Sequence, residues 1–196
     1  MYIRSGKRIF DIFIAAAGLI LLLPLFILLV LLLSFVHKGK PFFFQQRPGL
    51  NEKIFTIIKF RTINNTGKIG MQLAGDVSVT GNFLRRTSLD EIPQLWNVIR
   101  GEMSIVGPRP LLTEYLELYS EDQRRRHAVL PGITGWAQVK GRNHLAWEQK
   151  FEYDLWYVKN RSFRLDMKII FLTISRVFRK EGINFRCGSH IDKFSN

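Results

Sequence analysis

Cysteine occurs once in 196 residues, at Cys187, so no intramolecular disulfide can staple this chain. A lone thiol is compatible with a reducing, cytoplasmic setting. The sequence also lacks a Walker A loop, an H-E-x-x-H pair and any Cys/His spacing suited to zinc. There is no D-x-D triplet of the kind many nucleotide-sugar enzymes use, no internal repeat and no clear second domain. Acidic residues are scarce beside basic ones, 16 against 29, for a net charge of +13. Such a balance points to a polyanionic partner: nucleic acid, an anionic membrane surface or phosphorylated substrates. Hydrophobic residues make up 46% of the chain, which excludes low-complexity disorder. Sixteen phenylalanines favour membrane-facing or heavily packed helices over a solvated nucleic-acid arm.

Charge is missing altogether from Ile12 to Val36. The run is too long for the apolar core of a signal peptide, and no small-x-small cleavage site follows it. Its length permits a transmembrane helix. Pro24 sits in its middle, however, and proline removes a helical hydrogen bond and crowds the preceding turn. Both flanks are basic, with Arg4, Lys7 and Arg8 before the run and Lys38 and Lys40 after it. The positive-inside rule then places both ends on the cytoplasmic side. A helix broken at Pro24 would give halves of about 12 residues, roughly 18 Å each, against a hydrocarbon core of roughly 30 Å. From these residues a re-entrant and a spanning helix both stay open. The run does argue against a nucleic-acid-binding protein, which charge alone would suggest.

Beyond it, residues 41–49 and 54–61 read as two strands of a hairpin separated by Pro48-Gly49, with basic residues at its far end. Residues 64–82, rich in Gly, Asn and Thr, read as a mobile loop. Residues 111–129 read as a helix whose basic end, Arg124-Arg125-Arg126-His127, forms a solvated face. Residues 131–143 read as a glycine-punctuated loop that lets backbone approach a ligand; packing suits Trp136 better than stacking on a base. Residues 146–160 and 162–180 read as amphipathic helices. The second sets Phe163, Ile170, Phe171, Ile174, Val177 and Phe178 among basic Arg164, Lys168, Arg176, Arg179 and Lys180. That pattern fits an interfacial membrane helix or a core helix. The tail from Gly182 reads as poorly structured.

The candidate chemistry lies at Thr87-Ser88-Leu89-Asp90-Glu91-Ile92-Pro93, just after Arg85-Arg86. Ser88 and Glu91 have the spacing of a capping box, which predicts a helix starting here with both acids at its positive end. The ordinary reading of such a pair is helix capping. Gly107-Pro108-Arg109-Pro110 adds an arginine fixed between two prolines. It is either a rigid turn or a guanidinium held for phosphate oxygens.

Taken together, Lys7-Arg8-Ile9-Phe10-Asp11, Arg47-Pro48-Gly49, Lys59-Phe60-Arg61, Leu89-Asp90-Glu91, Gly107-Pro108-Arg109-Pro110, residues 131–138, Gly141-Arg142 and Tyr157-Val158 resemble the bacterial monotopic phosphoglycosyl transferases. The resemblance covers Lys7 to about Asn184 and is closest to the small single-domain members that handle diacetylated bacillosamine. It implies a mostly helical α+β fold, with residues 1–38 as a re-entrant membrane helix, 39–184 as a catalytic domain at the cytoplasmic face of the inner membrane, and 185–196 as a tail. In many relatives a serine precedes the helix-breaking proline, where this chain has Leu23. The implied reaction moves a sugar 1-phosphate from a UDP-sugar, N-acetylated by this match, to a polyprenol phosphate such as undecaprenyl phosphate. UMP is released, in the first membrane step of glycoconjugate synthesis. Glucose or galactose phosphate is the alternative cargo. By the same match Asp90 is a covalent nucleophile and Glu91 serves Mg²⁺. Arg85 and Arg109 hold phosphate, Arg142 lies near the nucleotide, and Lys59 acts in the same electrostatic way. Membrane lipids are expected partners and nucleic acid is not; a homo-oligomer and pathway glycosyltransferases stay open. The competing reading is a non-enzymatic basic membrane adaptor, which leaves the Asp-Glu and Pro-Arg-Pro motifs idle.

Overall fold

The computed structural model describes residues 2, 6–63, 79–141, 145–179 and 194. Helix α1 (Lys7–Val36) is followed by the strands β1 (Phe42–Pro48) and β2 (Ile54–Phe60), then α2 (Val79–Thr87) and α3 (Gln94–Arg100). Strand β3 (Ser104–Val106) leads through a 3₁₀ turn and the single turn α4 (Glu121–Arg124) to β4 (Gly132–Thr134). Three helices close the order: α5 (Trp136–Lys140), α6 (Trp147–Asn160) and α7 (Phe163–Arg179). The fold is thus mostly helical with two small sheets. β1 and β2 pair antiparallel from Phe42 opposite Phe60 to Pro48 opposite Ile54, while β3 and β4 pair in parallel.

Helix α1 is long and apolar enough to cross a membrane, and its helical backbone continues through Pro24. One proline removes one N–H donor, and the other i→i−4 bonds of a 30-residue helix remain available on either side. Polar groups near its start fasten it to the body. Lys7 Nζ meets Asp166 Oδ2 at 2.7 Å, and the buried Asp11 accepts from Ser104 Oγ at 2.7 Å and from the Ile105 N–H. The Arg8 guanidinium donates to the carbonyls of Ile99 and Met103, satisfying acceptors at the end of α3, where a helix leaves its last carbonyls open. Gly101 closes that helix at φ 88°, the left-handed geometry glycine takes without strain.

Two apolar clusters follow. Ala15 of α1 joins Val98, Met103, Ile105, Trp136, Tyr157 and Ile169 in one. Leu29 and Leu33, near the other end of α1, join Phe60, Leu84 and Ile92 in the second. Phe26 lies 5.2 Å from Phe60 and 6.1 Å from Phe42, ring to ring. Both halves of α1 therefore rest on the same body. Its other face, with Ile20, Leu21, Leu28, Leu31 and Phe35, is exposed and apolar.

Several expectations need correction. Residues 111–129 do not form one helix: a 3₁₀ stretch at Thr113–Leu118, α4 and a further 3₁₀ turn at Arg125–Ala128 replace it. A true capping box at Ser120 and Gln123 starts α4 afresh in the middle of that segment. The 131–143 loop contains β4 and α5. Two of its glycines make close backbone-to-backbone contact: a Cβ on Gly132 would strike the Gly107 nitrogen, and one on Gly135 the Gly107 carbonyl. Trp136 is buried and stacks on Trp156 with centroids 5.1 Å apart, as packing requires. The end of the 64–82 loop belongs to α2; its remainder and nearly all of the tail lie outside the described residues. The hairpin, α6 and α7 lie where the residue pattern placed them. Helix α7 serves two faces, with Ile169 in the core and Phe163, Phe171 and Ile174 exposed.

Candidate active site

The acidic pair does not start a regular helix. Ser88 has φ 58°, a left-handed backbone uncommon outside glycine, and its side chain caps nothing. Leu89–Glu91 form one 3₁₀ turn, and α3 starts only at Gln94, with Pro93 at its N-cap. Pro93 has no N–H to give, so the helix starts behind it. The expected capping box is therefore absent, and Asp90 and Glu91 project from a tight turn in front of the helix.

β2 brings Lys59 to this turn, and Asn97 fixes the distance. Its amide donates to the Thr56 carbonyl at 2.8 Å and accepts from the Ile58 N–H at 3.1 Å, tying strand to helix. Lys59 Nζ then reaches Glu91 Oε1 at 2.7 Å. Arg109 Nη2 reaches the same oxygen at 2.7 Å from the turn between its two prolines. Both cations sit on Oε1, which leaves Oε2 clear of them. Among the described residues no hydrogen bond or ion pair engages the Asp90 carboxylate. Burial alone would raise the Glu91 carboxyl, but Arg109 and Lys59 overcome it and hold Glu91 well below the usual range. Asp90 goes the other way: burial, then the charge of Glu91, push it up to about 6 against Lys59, Arg109 and Arg85. Near neutral pH both are ionised, one paired and one bare. Arg85, from α2, donates to Thr62 Oγ1 at 2.8 Å, and burial lowers its pKa.

These groups line a cavity of about 700 Å³. Lys59, Arg85, Asp90, Glu91 and Arg109 all face it, so five of the predicted site residues come together; Arg142 lies outside the described residues. Glu91 is an ionised oxygen donor with one oxygen free, and Asp90 is beside it. The described residues hold no cluster of three or more His, Cys, Asp or Glu. A protein-only metal cage is thus absent among them, whereas Mg²⁺ commonly takes one or two carboxylates plus substrate phosphates. The donor set fits that second arrangement.

One buried ion pair beside the site escaped the sequence. Arg126, expected on a solvated face, is 2% exposed. Its Nε and Nη2 donate to Asp154 Oδ2 at 3.1 and 2.6 Å, and Nη2 also donates to the Arg109 carbonyl at 2.7 Å. Tyr119 and Phe151 lie about its guanidinium. Burial raises the Asp154 carboxyl, opposed by Arg126. The pair therefore anchors the backbone of the very residue whose side chain meets Glu91. His127 is buried as well, and burial lowers its pKa to about 4. Only Arg125, paired with Asp122 at the surface, fits the solvated reading well. An aspartate on α6 was the available signal for Arg126, but nothing in the sequence places α6 against residue 126. Tyr157, part of the resemblance, is structural: its hydroxyl lies 2.8 Å from Asp166 Oδ1 and 3.0 Å from the Val106 carbonyl, with one proton to share between the two acceptors.

Residues 2–180 match the model of a family described as bacterial sugar transferase. An uncharacterized sugar transferase, EpsL, of Bacillus subtilis is 50% identical over 90% of this chain and 89% of its own length. The UDP-glucose:undecaprenyl-phosphate glucose-1-phosphate transferase of Klebsiella pneumoniae is 40% identical over 88% of this chain. The undecaprenyl-phosphate galactose phosphotransferase of Salmonella typhimurium is 36% identical over 91%. The chain spans only 40% and 42% of the lengths of those last two proteins.

Proposed function

This chain belongs to the bacterial sugar transferase family, and from that premise we propose that it moves a sugar 1-phosphate from a UDP-sugar to undecaprenyl phosphate. It is a transferase, which sets aside the adaptor reading. The observation that carries the mechanism is the unequal treatment of two adjacent carboxylates: Glu91 takes both cations and Asp90 takes none. A bare, ionised carboxylate in a cavity suits nucleophilic attack. A general base has no proton to remove, since a polyprenol phosphate is already anionic near neutral pH.

In the first step an Asp90 oxygen bonds to the sugar-bearing phosphorus of the UDP-sugar. The bond from that phosphorus to the bridging oxygen breaks, and UMP leaves with the electron pair. In the second step a phosphate oxygen of the lipid attacks the same phosphorus and the Asp90 carboxylate departs. The product is the sugar on a lipid diphosphate, and no proton need be gained or lost by the enzyme. Arg109 and Lys59 hold Glu91 and present positive charge to the phosphates, with Arg85 on the neighbouring helix in the same role. Glu91, together with substrate phosphate oxygens, would hold Mg²⁺, which neutralises charge on a leaving phosphate when bound. Four relatives name glucose or galactose, and an N-acetylated sugar stands beside these as a further proposal. UMP release from a panel of UDP-sugars, with undecaprenyl phosphate present, tests the reading and identifies the sugar. Absence of UMP with every donor would refute it.

The membrane arrangement we propose is re-entrant, at the cytoplasmic face of the inner membrane. It is supported by the basic flanks of α1 and by the packing of both Ala15 and Leu33 on the one body. A helix crossing the bilayer would carry its second half away from Phe42, Phe60 and Ile92. Cysteines placed at Gly6 and Gly39 should both label from the cytoplasm. A periplasmic position 6 with a cytoplasmic 39 would make α1 a span.

A further inference from the structure

Almost every charged group facing the cavity is committed to a neighbour. Lys59 and Arg109 share Glu91, Arg126 holds Asp154, and Arg85 and Arg61 donate to Thr62 and to the Phe42 carbonyl. The wall made by α5 and α6 differs. Gln138 of α5 has both its Nε2 and its Oε1 buried without a hydrogen-bond partner, and it lines the cavity. Lys150 of α6 lines the same cavity 4.4 Å from the Trp147 ring centroid, and no carboxylate pairs with it among the described residues. Buried amides are ordinarily satisfied, so one with both ends empty is a place where a ligand supplies what the fold does not.

The chemistry of the two groups narrows that ligand. A primary amide presents a donor and an acceptor side by side and pairs doubly with any group that does the same. Uracil does, through N3–H and an adjacent carbonyl. An acetamido group on a sugar does not, because its trans amide turns N–H and C=O to opposite sides. Lys150 calls for an anion. An imide and an anion on one molecule describe the nucleotide half of the donor.

We propose that the α5–α6 wall is the subsite for the uridine 5′-phosphate half of the donor, with Gln138 paired to the imide edge of uracil and Lys150 to the 5′-phosphate. This rests on the transferase reading above and extends it: the wall acts in the first half-reaction only, because the nucleotide has left before the lipid phosphate attacks.

The test is binding of UMP, N3-methyl-UMP and uridine to the detergent-solubilised full chain by calorimetry. For wild type, N3-methylation should weaken binding about 10- to 100-fold, which needs no substitution that could disturb folding. Gln138→Leu should bind UMP more weakly by a similar factor and lose the discrimination. Lys150→Met should weaken UMP about tenfold or more and leave uridine within twofold. Transfer of sugar phosphate from preformed adduct to polyprenol phosphate should be unchanged in both variants. Wild-type binding indifferent to N3-methylation overturns the proposal, as does a Gln138→Leu protein that discriminates like wild type. Uridine weakened as much as UMP by Lys150→Met overturns the role of Lys150. Release of UMP from a UDP-sugar without any N3 preference would sink the subsite and leave the transferase reading standing. N3 preference without release from any UDP-sugar would do the reverse.

Discussion

Glu91 and Asp154 each face an arginine across the same cavity, and the two centres are built differently. Asp154 and Arg126 are 4% and 2% exposed, and the guanidinium spends its donors on Asp154, on the Arg109 carbonyl and on Tyr119. Glu91 takes two cations on one oxygen, its partner Arg109 is 46% exposed, and the neighbouring Asp90 is left bare. A centre that commits four of its five guanidinium N–H donors to the protein holds a turn in place and has little left for a substrate. A centre that leaves one carboxylate unpaired is less stable and able to react. The link between them is Arg109, held at its backbone by the first and engaged at its side chain by the second.

Breaking the closed centre should have the largest effect on folding. Arg126→Met leaves Asp154 buried without a partner and should cost about 3–5 kcal/mol of stability, read as a lower denaturant midpoint. Adding Asp154→Leu should recover most of that loss, since no charge is then stranded. It should not recover full turnover, because the Arg109 carbonyl has lost its donor. A double variant as active as wild type would show that the pair serves stability alone.

Arg109→Lys strikes the link itself. A lysine keeps the charge but not the planar fork or its reach from a proline-fixed turn, so single-turnover UMP release should fall about tenfold or more. Turnover within twofold of wild type would make Arg109 merely structural. The smallest effect concerns pH. Asp90 is pushed up to about 6, and in the proposed mechanism only its ionised form attacks. The burst rate should therefore be flat above neutrality and fall as pH drops through about 6, approaching tenfold per unit below it. Glu91→Gln removes a neighbouring negative charge and should move that inflection to lower pH, whereas an inflection that stays in place would assign it to another group.

The sequence made parts of this legible for physical reasons. Two short apolar runs about the Pro48-Gly49 turn indicated the hairpin, and amphipathic patterning indicated α6 and α7. The acidic pair, Lys59, Arg85 and Arg109 were identifiable through the motifs, and they do line one cavity. The backbone beneath the pair departs from its local signal. Ser88 and Glu91 have capping-box spacing, but Ser88 is left-handed and Pro93 postpones the helix. Charge clusters such as residues 124–127 usually face solvent, whereas the partner that buries Arg126 comes from a helix more than twenty residues later. Gln138 carries no local signal; only the absence of partners in three dimensions distinguishes it.

In the proposed mechanism Asp90 carries the sugar phosphate between donor and lipid. Purified enzyme given UDP-sugar and Mg²⁺ with no lipid should release UMP in one burst, up to the enzyme concentration. Its intact mass should rise by one sugar phosphate, mapped to Asp90 and absent from Asp90→Asn. If no mass is gained and UMP appears only after polyprenol phosphate is added, transfer is direct and the account is contradicted.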